Sequence, residues 1–206
     1  MPNWCYNSIE LLSTTKELND KLLEHSELSD KPGLFQHLVV TDREKYYSDK
    51  PIPHLQDRQE NGKYFDWYNH NIQEYGTKWD VHEYYYNDDI LSFDTAWSPC
   101  VPFVQKLSEQ YGIEVRIEFS EVGWDFAGYK VYNNGELVDE EQSRYHEYFA
   151  KHDPQTVLND LDSDEEFLEI EDEDEKLKYI AEYYSDIYAK YLLDLYKKYD
   201  ERSNYK

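Results

Sequence analysis

Apolar and polar positions alternate most cleanly where Ile113, Val115, Ile117 and Phe119 are separated by Glu114, Arg116, Glu118 and Ser120. That period of two predicts a strand with one buried face. Trp4 to Leu12 has β-rich content and partial alternation, and reads as a first strand. Ser13 or Thr14 is placed to cap a helix carrying Leu18, Leu22 and Leu23 on one face and ending near Leu28, before Lys31-Pro32-Gly33. Phe35 to Val40 is a short apolar run and reads as a second strand. Thr41 to Gly62 is polar, carries Pro51 and Pro53, and predicts a long excursion. Phe65, Tyr68, Ile72 and Tyr75 then recur at helical spacing, with Gly76 as the residue past the helix end. Trp79–Tyr86 and Ile90–Trp97 predict paired strands around Asn87-Asp88-Asp89. After Pro99 and Pro102, a helix with Val101, Val104 and Leu107 on one side runs to Gly112. A last hairpin turns at Asn133-Asn134-Gly135, between Phe126–Tyr132 and Glu136–Val138.

The pattern changes downstream. Between Lys151 and Lys176 there is no basic residue and there are twelve Asp or Glu, which reads as an acidic linker. Ile180, Tyr184, Ile187, Tyr188, Tyr191, Leu192, Leu195 and Tyr199 then form an apolar stripe, predicting one long amphipathic helix. That stripe is wide enough to dock on the rest of the chain or to form a homodimer with a second copy. The fold class is therefore α+β with an antiparallel sheet, divided into a domain over 1–142 and a linker plus helical extension over 143–206.

Composition adjusts this picture in two ways. Aromatic residues reach 17%, with 22 Tyr and 5 Trp, so a packed core is expected although only 39% of residues are hydrophobic. The net charge is −24, with 27 acidic and 12 basic residues through Gln142 and 18 and 9 after it. Acidity on both sides disfavours direct binding to nucleic acid or to anionic membranes and points to a basic protein surface as partner. Cys5 and Cys100 form no metal-binding pattern, and no cofactor is indicated. The N-terminus has no signal-peptide pattern and no apolar run is long enough to span a bilayer, so a cytoplasmic location with free thiols is expected.

Four ordered motifs carry a resemblance. They are Pro2-Asn3-Trp4-Cys5-Tyr6-Asn7, Tyr75-Gly76-Thr77-Lys78-Trp79-Asp80, Phe93-Asp94-Thr95-Ala96-Trp97-Ser98-Pro99, and Glu121-Val122-Gly123 with Phe126-Ala127-Gly128. Over residues 2–135 the chain resembles the YubB-like, ferredoxin-fold proteins of bacteriophages and conjugative plasmids. The resemblance implies a ferredoxin-like core and a mobile-element setting within a bacterial host cell. It implies no activity, catalytic residue or cofactor.

Candidate chemistry is sparse. Trp4, Asn7, Thr77, Lys78, Trp79, Asp80, Thr95, Trp97 and Trp124 are placed to line an aromatic cleft, although Trp and Thr on neighbouring strands are also ordinary packing partners. Asp160, Asp162, Asp164, Glu166 and Glu171 fall at calcium-loop spacing, but Glu165 stands where the loop needs Gly, which disfavours a metal site. Glu121 and Asp125 flank Gly123-Trp124 as a carboxylate pair, with no nucleophile–base set beside them. Asp172, Glu173, Asp174, Glu175, Glu182 and Asp186 offer an acidic face. The expected function is a non-enzymatic phage or plasmid accessory protein that binds and inhibits a host protein, with defence proteins as the natural target class. The alternatives are a DNA mimic and a small-molecule or nucleotide-signal binder using the aromatic cleft.

Overall fold

The computed structural model describes residues 3–28, 32–52, 59–60, 62–81, 83–183 and 186–203, with backbone alone for 59, 183, 186–188 and 199–203. Pro2, Lys31, Pro53, His82 and Tyr184, which the expectations above include, lie outside the described residues. So do the side chains of Asp186, Ile187, Tyr188 and Tyr199. No described helix is long and apolar enough to cross a membrane.

The sheet is built outward from β1 (Trp4–Leu11). Its alternation is strict, but the assignment of faces is unexpected. Cys5, Asn7, Ile9 and Leu11 are buried, while Trp4 and Tyr6 are turned outward. β1 pairs antiparallel with β6 (Ile90–Ala96), from Trp4 opposite Ala96 to Glu10 opposite Ile90. On its other side it pairs with β7 (Glu114–Glu121), from Tyr6 opposite Ser120 to Leu11 opposite Val115. With β5 (Tyr85–Asn87), β8 (Phe126–Asn133) and β9 (Glu136–Ser143), the six-stranded order is β5-β6-β1-β7-β8-β9.

The helix α4 (Val101–Tyr111) connects β6 to β7 across β1, so the two strands are parallel to each other with β1 between them. The order β5-β6-β1-β7 is that of a ferredoxin-like β-α-β-β-α-β unit, and β8 and β9 extend it. The sheet's inner face carries Ile9, Leu91, Phe93, Val115, Ile117 and Phe119. Phe103, Val104 and Leu107 of α4 and Leu18 and Leu22 of α1 (Lys16–Glu27) complete this core. Thr15, not Ser13 or Thr14, caps α1, accepting from Leu18 N at 3.2 Å.

The expected strand at Phe35–Val40 is instead the short helix α2 (Leu34–Leu38). Its cap comes from far along the chain. The Asp80 carboxylate accepts from Phe35 N at 2.8 Å and Gln36 N at 3.0 Å. Gly33 makes the approach possible, because a Cβ there would lie 2.2 Å from Asp80 Cγ. Of the expected strand at Trp79–Tyr86, only Tyr85 and Tyr86 among the described residues lie in a strand, at the start of β5. Around the long excursion, a 3₁₀ turn at Glu44–Tyr46 leads into a small sheet of β2 (Tyr47–Ser48), β4 (Lys63–Phe65) and β3 (Gln59–Glu60).

The helix α3 (Trp67–Tyr75) begins at the Asp66 cap and ends at Gly76, whose φ of +84° suits glycine. Its buried face is only in part the expected one. Tyr75 is buried, as is Phe65 just before the helix, but Tyr68 and Ile72 are exposed and His70 and Glu74 are buried in their place.

The chain divides into two compact units, one of residues 1–123 and 129–141, the other of 124–128 and 142–206. The second is helical: α5 (Tyr145–His152), α6 (Pro154–Asp162), α7 (Glu165–Glu169), α8 (Glu173–Tyr183) and α9 (Asp186–Ser203). The expected acidic linker therefore contains the helices α6 and α7 and the start of α8. Its apolar positions, Val157, Leu158, Leu161 and Phe167, are buried with Ile180, Ala189, Leu192, Leu193 and Tyr196 in one core. The expected single terminal helix is two helices folded back on each other. Lys197 Nζ lies 2.6 Å from Glu173 Oε2, a contact that one continuous helix, rising about 1.5 Å per residue, would forbid.

Candidate functional site

The motif residues separate into a buried set and an exposed set. Asn7 is fully buried and its amide is saturated. Nδ2 donates to Cys5 O and Thr95 Oγ1, both at 2.8 Å, and Oδ1 accepts from Cys100 N at 3.2 Å. Thr95 Oγ1 donates to Ser98 O at 2.7 Å, Ser98 Oγ to Gly76 O at 2.6 Å, and Thr77 Oγ1 to Ala96 O at 3.1 Å. These bonds tie the end of β1 and β6 to the loop after α3. Asp80 belongs with them through its cap on α2. The polar atoms of Asn7, Thr77 and Thr95 are thus consumed in positioning backbone. The buried Cys5 and Cys100 are free thiols. Burial, with Glu121 and Asp94 nearby, pushes Cys5 up to about 12, and burial raises Cys100 as well, so both stay protonated and unreactive.

What this framework presents outward is a pair of indoles. Trp4 is 54% exposed and Trp79 41%, with ring centroids 6.4 Å apart. Lys78 Nζ sits 4.6 Å from the centroid of the Trp79 ring. The indoles wall a shallow groove of about 290 Å³, also lined by Asp80, Val81, Glu83, Asp94, Thr95 and Ala96. With Asp80 engaged in its cap, Glu83 and Asp94 are the carboxylates the groove offers. Trp97 is exposed at the end of β6 and holds φ of +74°, a costly backbone for a bulky residue. Its N–H donates to Asn3 O at 2.9 Å. Trp124 is exposed and belongs to the second unit.

A second polar cluster was not legible in the sequence. Glu74, only 3% exposed, accepts from Tyr46 Oη at 2.6 Å and pairs with Lys45 at 2.5 Å and Lys106 at 3.0 Å. Burial by itself would raise its pKa; the bonds from Lys45, Tyr46 and Lys106 outweigh that and hold it at about 2. His70 beside it is lowered by burial and stays neutral. Its Nε2 meets Thr41 Oγ1 at 2.8 Å and its Nδ1 meets Asn71 Oδ1 at 3.0 Å. Asn71 Nδ2 in turn donates to Lys78 O at 3.0 Å, so this chain of bonds ends on the loop that carries Trp79. The one available signal was a helix with both His and Glu at i and i+4, which hydrophobic periodicity does not register.

The remaining candidates have separate duties. Glu121 accepts from Gly123 N at 2.9 Å within its turn. Asp125 accepts from Arg144 Nε at 2.6 Å and Tyr145 N at 3.2 Å. Asp160 and Asp162 lie in α6, and Asp164 caps α7 through Glu166 N and Phe167 N. Calcium-loop geometry is therefore not formed, and among the described residues no group of three or more His, Cys, Asp or Glu is placed to hold a metal. Asp172 caps α8 through Asp174 N and Glu175 N, and Glu173 is paired with Lys197. Glu171, Asp174, Glu175 and Glu182 are exposed.

Comparison with known proteins gives a partial match. Residues 74–162 match the family described as "Ferredoxin-like domain in Api92-like protein". A crystal structure of a protein api92 from Yersinia pseudotuberculosis is similar at 23% identity and a TM-score of 0.34. That similarity covers 37% of this chain and 30% of the api92 chain. No curated protein matches. The ferredoxin-like fold is thus supported by the family match, whereas the comparisons lend no support to the YubB-like family or to a phage or plasmid origin.

Proposed function

We propose that this chain is a non-enzymatic interaction protein that binds a basic surface of another protein through the face carrying Trp4, Trp79, Glu83 and Asp94. The observation that carries the reading is the half-exposed indole pair over a groove with two available carboxylates. Indoles left in water beside charge are a costly surface for a free protein and a frequent centre of binding energy when covered. Acidity throughout the chain steers it to cationic partners and away from nucleic acid. The resemblance to mobile-element proteins suggests a host protein of the bacterial cytoplasm, with defence proteins as a target class. The binding of Asn7, Thr77 and Thr95 into the framework supports a surface built for docking over a catalytic pocket.

The test is capture from bacterial lysate on the immobilised full chain at about 0.05 M and about 0.5 M salt. The same capture is repeated with the variant Trp4→Ala/Trp79→Ala. Capture that is lost at high salt and falls about tenfold or more in the variant supports the reading. Capture indifferent to both salt and the indoles sinks it.

A further inference from the structure

A second groove, of about 650 Å³, lies between α1 and β5, and Glu83 lines both it and the Trp4/Trp79 groove. Its walls include Leu22 and Leu23 of α1 and Tyr84 to Tyr86. Leu23 is exposed although it sits beside the core residue Leu22. β5 is the terminal strand on this side of the sheet. The turn into β6 has two residues, Asp88 and Asp89, at φ of +49° and +63°. It closes on the pair Asn87 and Ile90. Backbone groups alternate in direction along an antiparallel strand, so the N–H and C=O of Tyr86 point away from β6. Among the described residues no backbone group takes them. Edge strands are commonly blunted by shortness, Lys, Pro or a bulge; β5, Tyr85-Tyr86-Asn87, is short but carries no Lys, Pro or bulge.

We propose that this edge and groove take up an extended, basic segment of the protein partner as an added strand. The proposal rests on the reading of a basic protein partner and specifies how that partner is held. Tyr86 is opposite Leu91, an inward position, and Tyr85 is opposite Ser92, on the open face. The side chains of an added strand would alternate likewise. One set, apolar, would enter the groove against Leu23 and Tyr86. The other, Lys or Arg, would lie on the face of Tyr85, within the field of Asp88, Asp89 and Glu83. β5 is short, so few ladder hydrogen bonds are available and the groove and charges must supply most of the affinity.

The experiment titrates the full chain with a short capped peptide alternating Lys and Val, and with the same peptide N-methylated at alternate backbone nitrogens. Amide hydrogen exchange at Tyr86 is followed by NMR. The expected result is binding that slows Tyr86 exchange and weakens about tenfold or more on N-methylation, a loss of about 1.4 kcal/mol. Tyr86→Pro, tolerable where the N–H faces solvent, should remove binding while Tyr86→Thr retains part of it. Equal binding of the N-methylated peptide overturns strand addition, as does an unprotected Tyr86 with shifts confined to Trp4 and Trp79. Failure of both peptides to bind overturns it too. None of these outcomes touches salt-sensitive capture through the indoles, so the two readings fail separately.

Discussion

Asn7 and Trp4 stand three residues apart on one strand and exchange the places their polarity suggests. The amide is buried and the indole is in water. Removing the amide would leave Cys5 O, Thr95 Oγ1 and Cys100 N short of partners in a buried site. Asn7→Ala is therefore expected to lower stability by about 2–4 kcal/mol in urea unfolding, with most of the loss arising from groups left unpaired. Trp97 offers a complementary test. Because its φ is +74°, Trp97→Gly should be more stable than Trp97→Ala by about 1 kcal/mol in thermal unfolding. The motifs around these residues were visible in the sequence, but their direction was not. Alternation on β1 shows that two faces exist, and with Cys5, Asn7 and Ile9 on one and Trp4, Tyr6 and Ser8 on the other, hydrophobicity does not decide which is buried.

At the scale of elements, the regular strands and the capped helices were legible because local chemistry and burial agree there. β7, α4 and the Asn134-Gly135 hairpin are cases of this agreement. Where they diverge, the reading failed for identifiable reasons. α2 is held by a cap from Asp80, more than forty residues away in the chain, which no local window contains. α8 and α9 share one apolar stripe, and that they pack on each other is seen only in contacts distant in sequence, the Glu173–Lys197 pair and the common core of Ile180 with Leu192 and Tyr196. α3 buries its polar side because Glu74 finds two ammonium groups and a phenol there. That arrangement has a pH signature. Glu74 is depressed from 4.5 to about 2, so its contribution is fully present above pH 4.5 and is lost as pH falls toward 2. Its size is about 3 kcal/mol. Wild type and Glu74→Gln should therefore differ most above pH 5 and converge near pH 2 in denaturant midpoints. His70, lowered from 6.5, adds an earlier acid limb that begins below its ordinary value.

For the whole molecule, two compact units share an acidic character, and the two grooves proposed for a partner adjoin at Glu83 on the first unit. On the proposed reading, charge would set the sign of a partner and the indoles would mark where it docks. Neither names it, which is why the composition could be read early and the target class only proposed. The five tryptophans allow the central claim to be tested residue by residue. The full chain labelled with 5-fluorotryptophan is titrated with the captured partner and followed by ¹⁹F NMR at low and high salt. Binding through the proposed face shifts the Trp4 and Trp79 signals at low salt, leaves Trp67 in place, and reverses as salt is raised. Shifts confined to Trp67 or Trp124, or a complex indifferent to salt, would contradict it.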